Sequence, residues 1–567
     1  MDSHKQNISR FFFKLTRKYS PGLLHDLSLE YDELMTSMDN DLSICDDTKE
    51  VNEYVSLFAL LYKLILFTRD IYSGMGERDL CYMMIYVWHK HFPSPAFHAL
   101  QMCCRDGGGG SWKDIVYFCR YIRQISPIKE NDPLIHKCVV LLNEQLETDY
   151  LVWNRSRSPD NISLVCKWIP RENSSFHWLY QKCILQWASK YRMHYFTPFR
   201  IKDAKSVSLS SLINARKAGI SGKMCMTAKT DLQIEKAIKK CKKEYRKCVS
   251  ELTRACNVIE VKMCAKQTSN EDYAPLYAQM LYRSVDFCKK TEKRKGKWEG
   301  RAYGVSLGDL ARNILRDYAN PEEVLGKEME EKKAGIASKI WNKLSLPFSL
   351  YKWIPFLDLS FYDRPEFIDA VAICAKIAEF SSFGPRLMTY DHMPRWIHFD
   401  ENVSGDTYIQ SILNDRHIGY GSSNIITAID LLISSFLHVS DEKNDEKNDD
   451  TNEITLVFLV SAEDYGPSIL AEEIRKRFNN AGLKCPFLLF WYVGENIVGG
   501  DSIQGDNYLC VSGCYFPLLQ TLSSLPNMQI TQYELLLQLI RHSNNRYQHM
   551  EDYLFDLISN PPSSSLS

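Results

Sequence analysis

Residues 353–380 read WIPFLDLSFYDRPEFIDAVAICAKIAEF. An apolar run, Trp353 to Leu357, ends in an Asp-x-Ser turn, Asp358-Leu359-Ser360, and Pro365 then opens an amphipathic segment to Phe380. Strand, polar turn and helix in that order are the unit from which parallel sheets are built, because a parallel pair needs a crossover long enough to hold a helix. The same grammar recurs downstream. PRLMTYD and RWIHF, ITLVFLVS at 454–461, PFLLFWYV at 486–493 and NYLCVSG at 507–513 alternate with helical periodicity at 423–437 and 467–481. Continuous apolar strands between amphipathic helices predict a mostly parallel sheet covered on both faces.

Upstream the grammar differs. From 51 to about 345 the periodicity is helical, in segments of a dozen to twenty residues broken by turns such as YSGMGE near 72, RDGGGGS near 105, ISPIKENDP near 125 and NRSRSPDN near 154. Successive helix pairs with polar turns resemble a HEAT-type array. The expectation is therefore an α + α/β multidomain chain, a HEAT-like helical array followed by a doubly wound, Rossmann-type α/β domain. Its expected segments are 1–50 (a helical extension ending in the polar loop SMDNDLSICDDTKE), 51–345, 346–530 with a disordered insertion at 440–453, and 531–567 (a helix and tail).

At 567 residues the chain is too long for one hydrophobic core. Val55–Phe67 is apolar but short for a membrane span and carries Lys63, so it predicts a buried helix. The first residues lack a secretory pattern, and eighteen scattered cysteines form no disulfide framework, which together predict a cytoplasmic protein with reduced thiols. Cys241, Cys248, Cys256 and Cys264 recur on one helical stripe and read as small core residues.

A formal net charge of −1 hides a division. Residues 1–350 hold 55 Lys and Arg against 41 Asp and Glu, whereas 351–567 hold 14 against 29, and the basic excess concentrates in 151–300. Lys236, Lys239, Lys240, Lys242, Lys243, Arg246 and Lys247 dominate the polar side of a long helical pattern at 231–266. A second cluster follows at Lys289, Lys290, Lys293, Arg294, Lys295 and Lys297. Two readings stand: a solvated helix face, or a surface for the phosphate backbone of nucleic acid with Tyr245 and Trp298 stacking on unpaired bases.

Known catalytic patterns do not appear. Gly74-Met75-Gly76 lacks a preceding strand, and Gly107–Gly110 lacks the Lys-Ser/Thr ending of a phosphate loop. Ser111 reads instead as the cap of a helix beginning at Trp112. No enzyme is expected.

Several blocks, in order, resemble one family. Thr68-Arg69-Asp70-Ile71-Tyr72-Ser73-Gly74-Met75-Gly76-Glu77-Arg78 is similar to the Arg-Asp-x-x-Gly-Gly-Lys-Gly-Glu-Arg motif of TROVE proteins, the Ro ribonucleoprotein group. Ser111–Asp114, Lys167–Glu172, Glu260–Gln267, Thr389-Tyr390 with Met393-Pro394, and Val511–Gly513 resemble further blocks of its uncharacterised relatives in plants, fungi, bacteria and giant viruses. The resemblance implies a ring or arc of HEAT-like helices carrying a von Willebrand A domain. In the Ro branch it implies RNA as partner, and the acidic α/β domain is left for protein contacts. A rival reading is a protein-interaction or structural scaffold.

The family holds magnesium through Asp-x-Ser-x-Ser, a Gly-rich-loop Thr and a later Asp. Asp358 and Ser360 match and Ser423 can replace the Thr, but Tyr362 replaces the second serine, and Ala462 stands where the later Asp belongs, with Glu463 and Asp464 one and two places on. Magnesium demands short octahedral contacts, so the expectation is a degenerate site without a resident ion and a chain with no cofactor.

Overall fold

The strands form where continuous apolar runs predict them, and the helices between them account for the intervening periodicity. The computed structural model describes residues 1–15, 21–71, 73–104, 109–191, 231–256, 306–319, 336–346, 352–414, 423–442, 454–460, 466–494, 504–525, 528–542 and 546–559. The early helices are α1 (Asp2–Lys14), α2 (Pro21–Ile44), α3 (Thr48–Arg69), α4 (Asp79–His91), α5 (Pro93–Cys104), α6 (Trp112–Ile125), α7 (Pro133–Ser156), α8 (Val165–Trp168), α9 (His177–Tyr191), α10 (Asp231–Ala255), α11 (Leu307–Ala319) and α12 (Ile336–Trp341). Next come β1 (Trp353–Leu357), α13 (Phe367–Phe380), β2 (Arg386–Thr389), β3 (Trp396–His398), α14 (Gly405–Leu413), α15 (Ile425–Glu442), β4 (Thr455–Val460) and α16 (Pro467–Asn480). The chain closes with β5 (Phe487–Tyr492), β6 (Gln504–Gly505), β7 (Tyr508–Ser512), α17 (Phe516–Ser524), α18 (Gln532–His542) and α19 (Gln548–Ser559).

These elements divide into two compact units, Met1–His91 with Asp272–Ser567, and Phe92–Glu271. The partition is discontinuous in sequence and falls elsewhere than the change of grammar at 346.

The first unit holds one mixed sheet in the order β3-β2-β1-β4-β5-β7-β6. Its five central strands are parallel, with antiparallel β3 and β6 at the edges. Alternate strand residues face opposite sides. Phe356, Phe458 and Phe490 meet Ile429 and Leu432 of α15 and Ile474 and Phe478 of α16 on one side. Helix α13 covers β1, β2 and β4 on the other, and α11 packs on α13. There the Arg312 guanidinium lies 2.5 Å from Asp369, and a Cβ on Gly308 would fall 1.6 Å from the same carboxylate, so only glycine lets the helices approach.

The N-terminal helices belong to this unit. Helix α1 packs on β7 and α18, with the Ser512 hydroxyl donating to the Phe13 carbonyl. Helix α3 is long and apolar enough to cross a membrane by length and composition alone, yet 67% of its apolar window is buried. Lys63 pairs with Glu551 of α19. The expected loop at 37–50 is mostly helix: α2 runs to Ile44 because Met38 is buried and Asp41 takes a 2.7 Å hydrogen bond with His4. Only residues 45–47 turn, and the Asp47 carboxylate accepts from the Lys49 N–H to start α3. The expected insertion likewise begins in helix, since α15 extends to Glu442; 443–453 lie outside the described residues.

The second unit is helical. Helix α6 packs on α5 and α7, α7 on α9, and α10 against α7, α8 and α9. Ser111 starts α6 as expected, its N–H donating to the Asp114 carboxylate at 2.7 Å. The core is built from Ile115, Cys138, Leu142, Trp187 and Leu252, and a buried polar bridge crosses it. Tyr245 donates to Asn143 Oδ1 at 3.0 Å, and Asn143 Nδ2 donates to the Cys183 carbonyl at 2.7 Å.

Candidate nucleic-acid interface and candidate metal centre

Helix α10 sorts its residues by phase. Tyr245, Cys248, Val249 and Leu252 are buried against the rest of the second unit, while Lys239, Lys243, Arg246 and Lys247 are exposed. At 100° per residue the four cations fall within one arc on the side opposite the buried set, spanning about 12 Å along the axis. Part of that charge is already met. Glu172 lies 3.1 Å from Arg246 and 3.6 Å from Lys242, and Glu251 lies 3.6 Å from Lys247.

The side chains of Lys236 and Lys240 lie outside the described residues, as do Lys289, Lys290, Lys293, Arg294, Lys295, Lys297 and Trp298. Tyr245 is a correction. It is 1% exposed, its ring packs edge-on to Trp187 at 5.2 Å and its hydroxyl is committed to Asn143, so it offers no face to a base.

A second basic surface in this unit escaped the sequence reading. On α6, Lys113, Tyr117 and Arg120 recur at helical spacing and interleave with rings from 168–178. Lys113 Nζ sits 4.8 Å from the Tyr117 ring centroid and 5.1 Å from that of Trp168. The Arg120 guanidinium is 4.4 Å from Tyr117 and 5.9 Å from Phe176, and Arg123 is 4.9 Å from Trp178. The Tyr117 and Phe176 rings are themselves 5.5 Å apart. These rings are half-buried, and Arg120 and Arg123 are exposed. The i, i+4, i+7 repeat on α6 was the available signal; the rings that complete it come from fifty residues downstream.

Glycines near 74 serve architecture. The amides of Met75, Gly76 and Glu77 donate to the carbonyls of Phe67, Asp70 and Thr68, at 3.0, 3.1 and 2.7 Å, and so are engaged within the loop. A Cβ on Gly74 would lie 2.0 Å from the Phe67 carbonyl oxygen. Asp70 is fully buried and faces Arg546 and Tyr547. This stretch thus closes a tight chain reversal.

At the expected metal centre, Asp358 and Ser360 share the turn after β1. The Ser360 N–H donates to Asp358 Oδ1 at 2.8 Å, so one carboxylate oxygen already serves the turn. Tyr362 is exposed to solvent. Ser423 lines a cavity of about 510 Å³ at the starts of α15 and α16, with Ile426, Ile469, Glu472 and Lys476. Positions 461–465, which would supply the later carboxylate, lie outside the described residues. Among the described residues no group of three or more His, Cys, Asp or Glu is arranged to hold a metal ion. Asp358, Ser360 and Ser423 are the members of the expected donor set that lie among the described residues.

No protein-family model matches the chain, and no curated protein matches it. Among solved structures it is similar to the Ro (RSR) protein of Deinococcus radiodurans at 12% identity, over 88% of this chain and 94% of that one, with a TM-score of 0.32. A superposition that loose decides nothing about the site.

Proposed function

We propose that the chain is a non-enzymatic RNA-binding protein of the cytoplasm, in which a HEAT-like helical part grips the phosphate backbone without reading sequence. The von Willebrand A-like α/β part, its metal site degenerate, serves protein contacts. The observation that carries this reading is the exposed cationic arc of Lys239, Lys243, Arg246 and Lys247 on α10. Clustered cations gain affinity for phosphates by releasing condensed counterions. The TROVE-like blocks and the basic excess of residues 151–300 support it independently. No cofactor enters the reading, and any magnesium would have to use Asp358, Ser360 and Ser423.

The test is a filter-binding titration with RNA across salt concentrations. Affinity should fall steeply with salt, and reversing Lys239, Lys243 and Lys247 to Glu should reduce the slope by roughly one for each phosphate that the variant no longer neutralises. Salt-insensitive binding, or an unchanged slope in the reversal variant, sinks it.

A scaffold function is the second reading, favoured by Glu172, which already neutralises Arg246 and Lys242. Purified protein free of nucleic acid and indifferent to added RNA would select it.

A further inference from the structure

We infer that the outward face of α6, completed by Trp168, Phe176 and Trp178, is a stacking platform for unpaired nucleotides. The inference rests on the RNA-binding reading and goes beyond it by assigning a second surface with a different preference. The arc on α10 offers charge alone, whereas α6 offers charge and ring faces in alternation. Lys113 lies against Trp168 and Tyr117, and Arg120 against Tyr117 and Phe176. Arg123 lies against Trp178, and Lys167 against Trp168 at 5.4 Å.

Cation–π contacts occur about once per 70–80 residues in ordinary structures. Here five of them involve three cations of α6, Lys113, Arg120 and Arg123. A solvated helix face explains the cations and leaves unexplained why four half-buried rings gather beneath them. An acidic peptide would use the cations and waste the rings. A base uses both, because ring faces and guanidinium planes alike accept stacking while neighbouring cations hold the phosphates.

The dimensions suit a short single strand. From Lys113 to Arg123 the helix advances about 15 Å, which matches roughly four nucleotides at the ~3.4 Å stacked rise. A duplex keeps its bases stacked on one another and cannot present them to these rings. The platform should therefore prefer unpaired RNA, whereas the α10 arc should treat both forms alike.

The experiment uses the full chain with two probes, an unstructured oligouridylate and a blunt RNA duplex of equal length. Tyr117→Leu combined with Trp178→Leu should weaken the oligouridylate about tenfold or more, on the scale expected for the removal of base stacking. Duplex affinity and the salt slope should stay as they were. Tyr117→Phe, which keeps the ring, should bind as the parent does. Crosslinking a 5-iodouridine oligonucleotide to the unmodified protein gives a readout that no misfolded variant can imitate, with adducts expected within 112–125 and 165–178.

Adducts confined to other segments would overturn the platform. So would an oligouridylate affinity untouched by the double substitution, an equal loss for both probes, or displacement of the oligouridylate by polyglutamate at matched charge. Each of these outcomes leaves the RNA-binding reading standing if Lys239, Lys243 and Lys247 reversal still lowers duplex affinity and its salt slope. Absence of binding to either probe at low salt would remove both proposals together.

Discussion

Tyr547 donates its phenolic hydrogen bond to Asp70 at 2.9 Å across 477 residues of chain. The Arg546 guanidinium nitrogen Nε lies 2.6 Å from the same carboxylate oxygen, an ion pair by proximity without an aligned N–H. Asp70 and Tyr547 are both buried, so the contact joins the turn after α3 to the start of α19 inside one core. Removing one member of a buried charged pair leaves the other uncompensated and typically costs about 3–5 kcal/mol. Asp70→Ala should lower the stability of the first unit accordingly, read as its denaturant midpoint, and Tyr547→Phe by about 1.5–3 kcal/mol, the range for a hydrogen bond to a charged group. Equal midpoints for parent and Asp70→Ala would show that the network does not hold the turn after α3 to α19.

Tyr245 supplies a sharper contrast. Its hydroxyl reaches Asn143 inside the second unit, so Tyr245→Phe should destabilise that unit by about 1 kcal/mol and leave RNA affinity unchanged. Any selective loss of oligouridylate binding without loss of stability would return this ring to the surface. Protection of the Asn143 side-chain amide by hydrogen exchange distinguishes the cases.

What could be read in advance follows from where information is local. Strands β1, β4 and β5 are buried on both faces, so Trp353–Leu357, Thr455–Val460 and Phe487–Tyr492 are continuous apolar runs that no helix of that length would require. The cationic arc on α10 was legible for the same kind of reason, being one phase of a 3.6-residue period. Tyr245 sits at the opposite phase from Lys239 and Lys243, yet its lysine neighbours in sequence made it look exposed; period should have outweighed adjacency. Nothing local encodes the meeting of Asp70 with Tyr547. The α6 surface was hidden similarly, since Trp168, Phe176 and Trp178 join Lys113 and Arg120 only through packing of α8 and α9. Ser423 was matched by residue type alone, and the cavity it lines does not include Asp358 or Ser360.

Lys376 sets a pH dependence. Its side chain is fully buried on α13, donating to the Trp341 carbonyl of α12 at 3.0 Å and to Glu379 at 2.9 Å, with Asp406 of α14 also nearby. Burial outweighs these partners and holds the ammonium below the ordinary lysine value of 10.5. A lysine depressed in the folded state loses its proton there first, so stability rises as pH climbs from the folded value towards the unfolded one. The window closes near pH ~10, where tyrosines begin to ionise in the unfolded chain; Tyr408, pushed up by burial, then works in the opposite sense. Lys376→Met should flatten this alkaline rise, while Lys182, depressed by burial in the other unit, keeps its own contribution. Parallel pH–stability curves for parent and Lys376→Met would refute the assignment.

Cys166 and Cys256 bring two thiols within 3.7 Å, joining α8 to the end of α10. The two sulfurs share one hydrogen bond, which holds the Cys166 thiol below the ordinary value and Cys256 well above it. Elsewhere in the same unit burial pushes Cys119 and Cys183 up, the latter to about 12, which keeps them as unreactive thiols. Limiting hydrogen peroxide should therefore oxidise the Cys166 thiolate to a sulfenic acid. Attack by the Cys256 sulfur then expels water and closes a disulfide, two thiols and one peroxide giving one disulfide and two waters. The bridge closes a loop of about ninety residues and should stabilise the second unit by on the order of 4 kcal/mol. Peptide mapping after alkylation should find this pair first, and Cys256→Ser should abolish both the bridge and the rise in denaturant midpoint. If Cys119 or Cys183 oxidises earlier, or the bridged unit is less stable than the reduced one, the pair is only a packing contact.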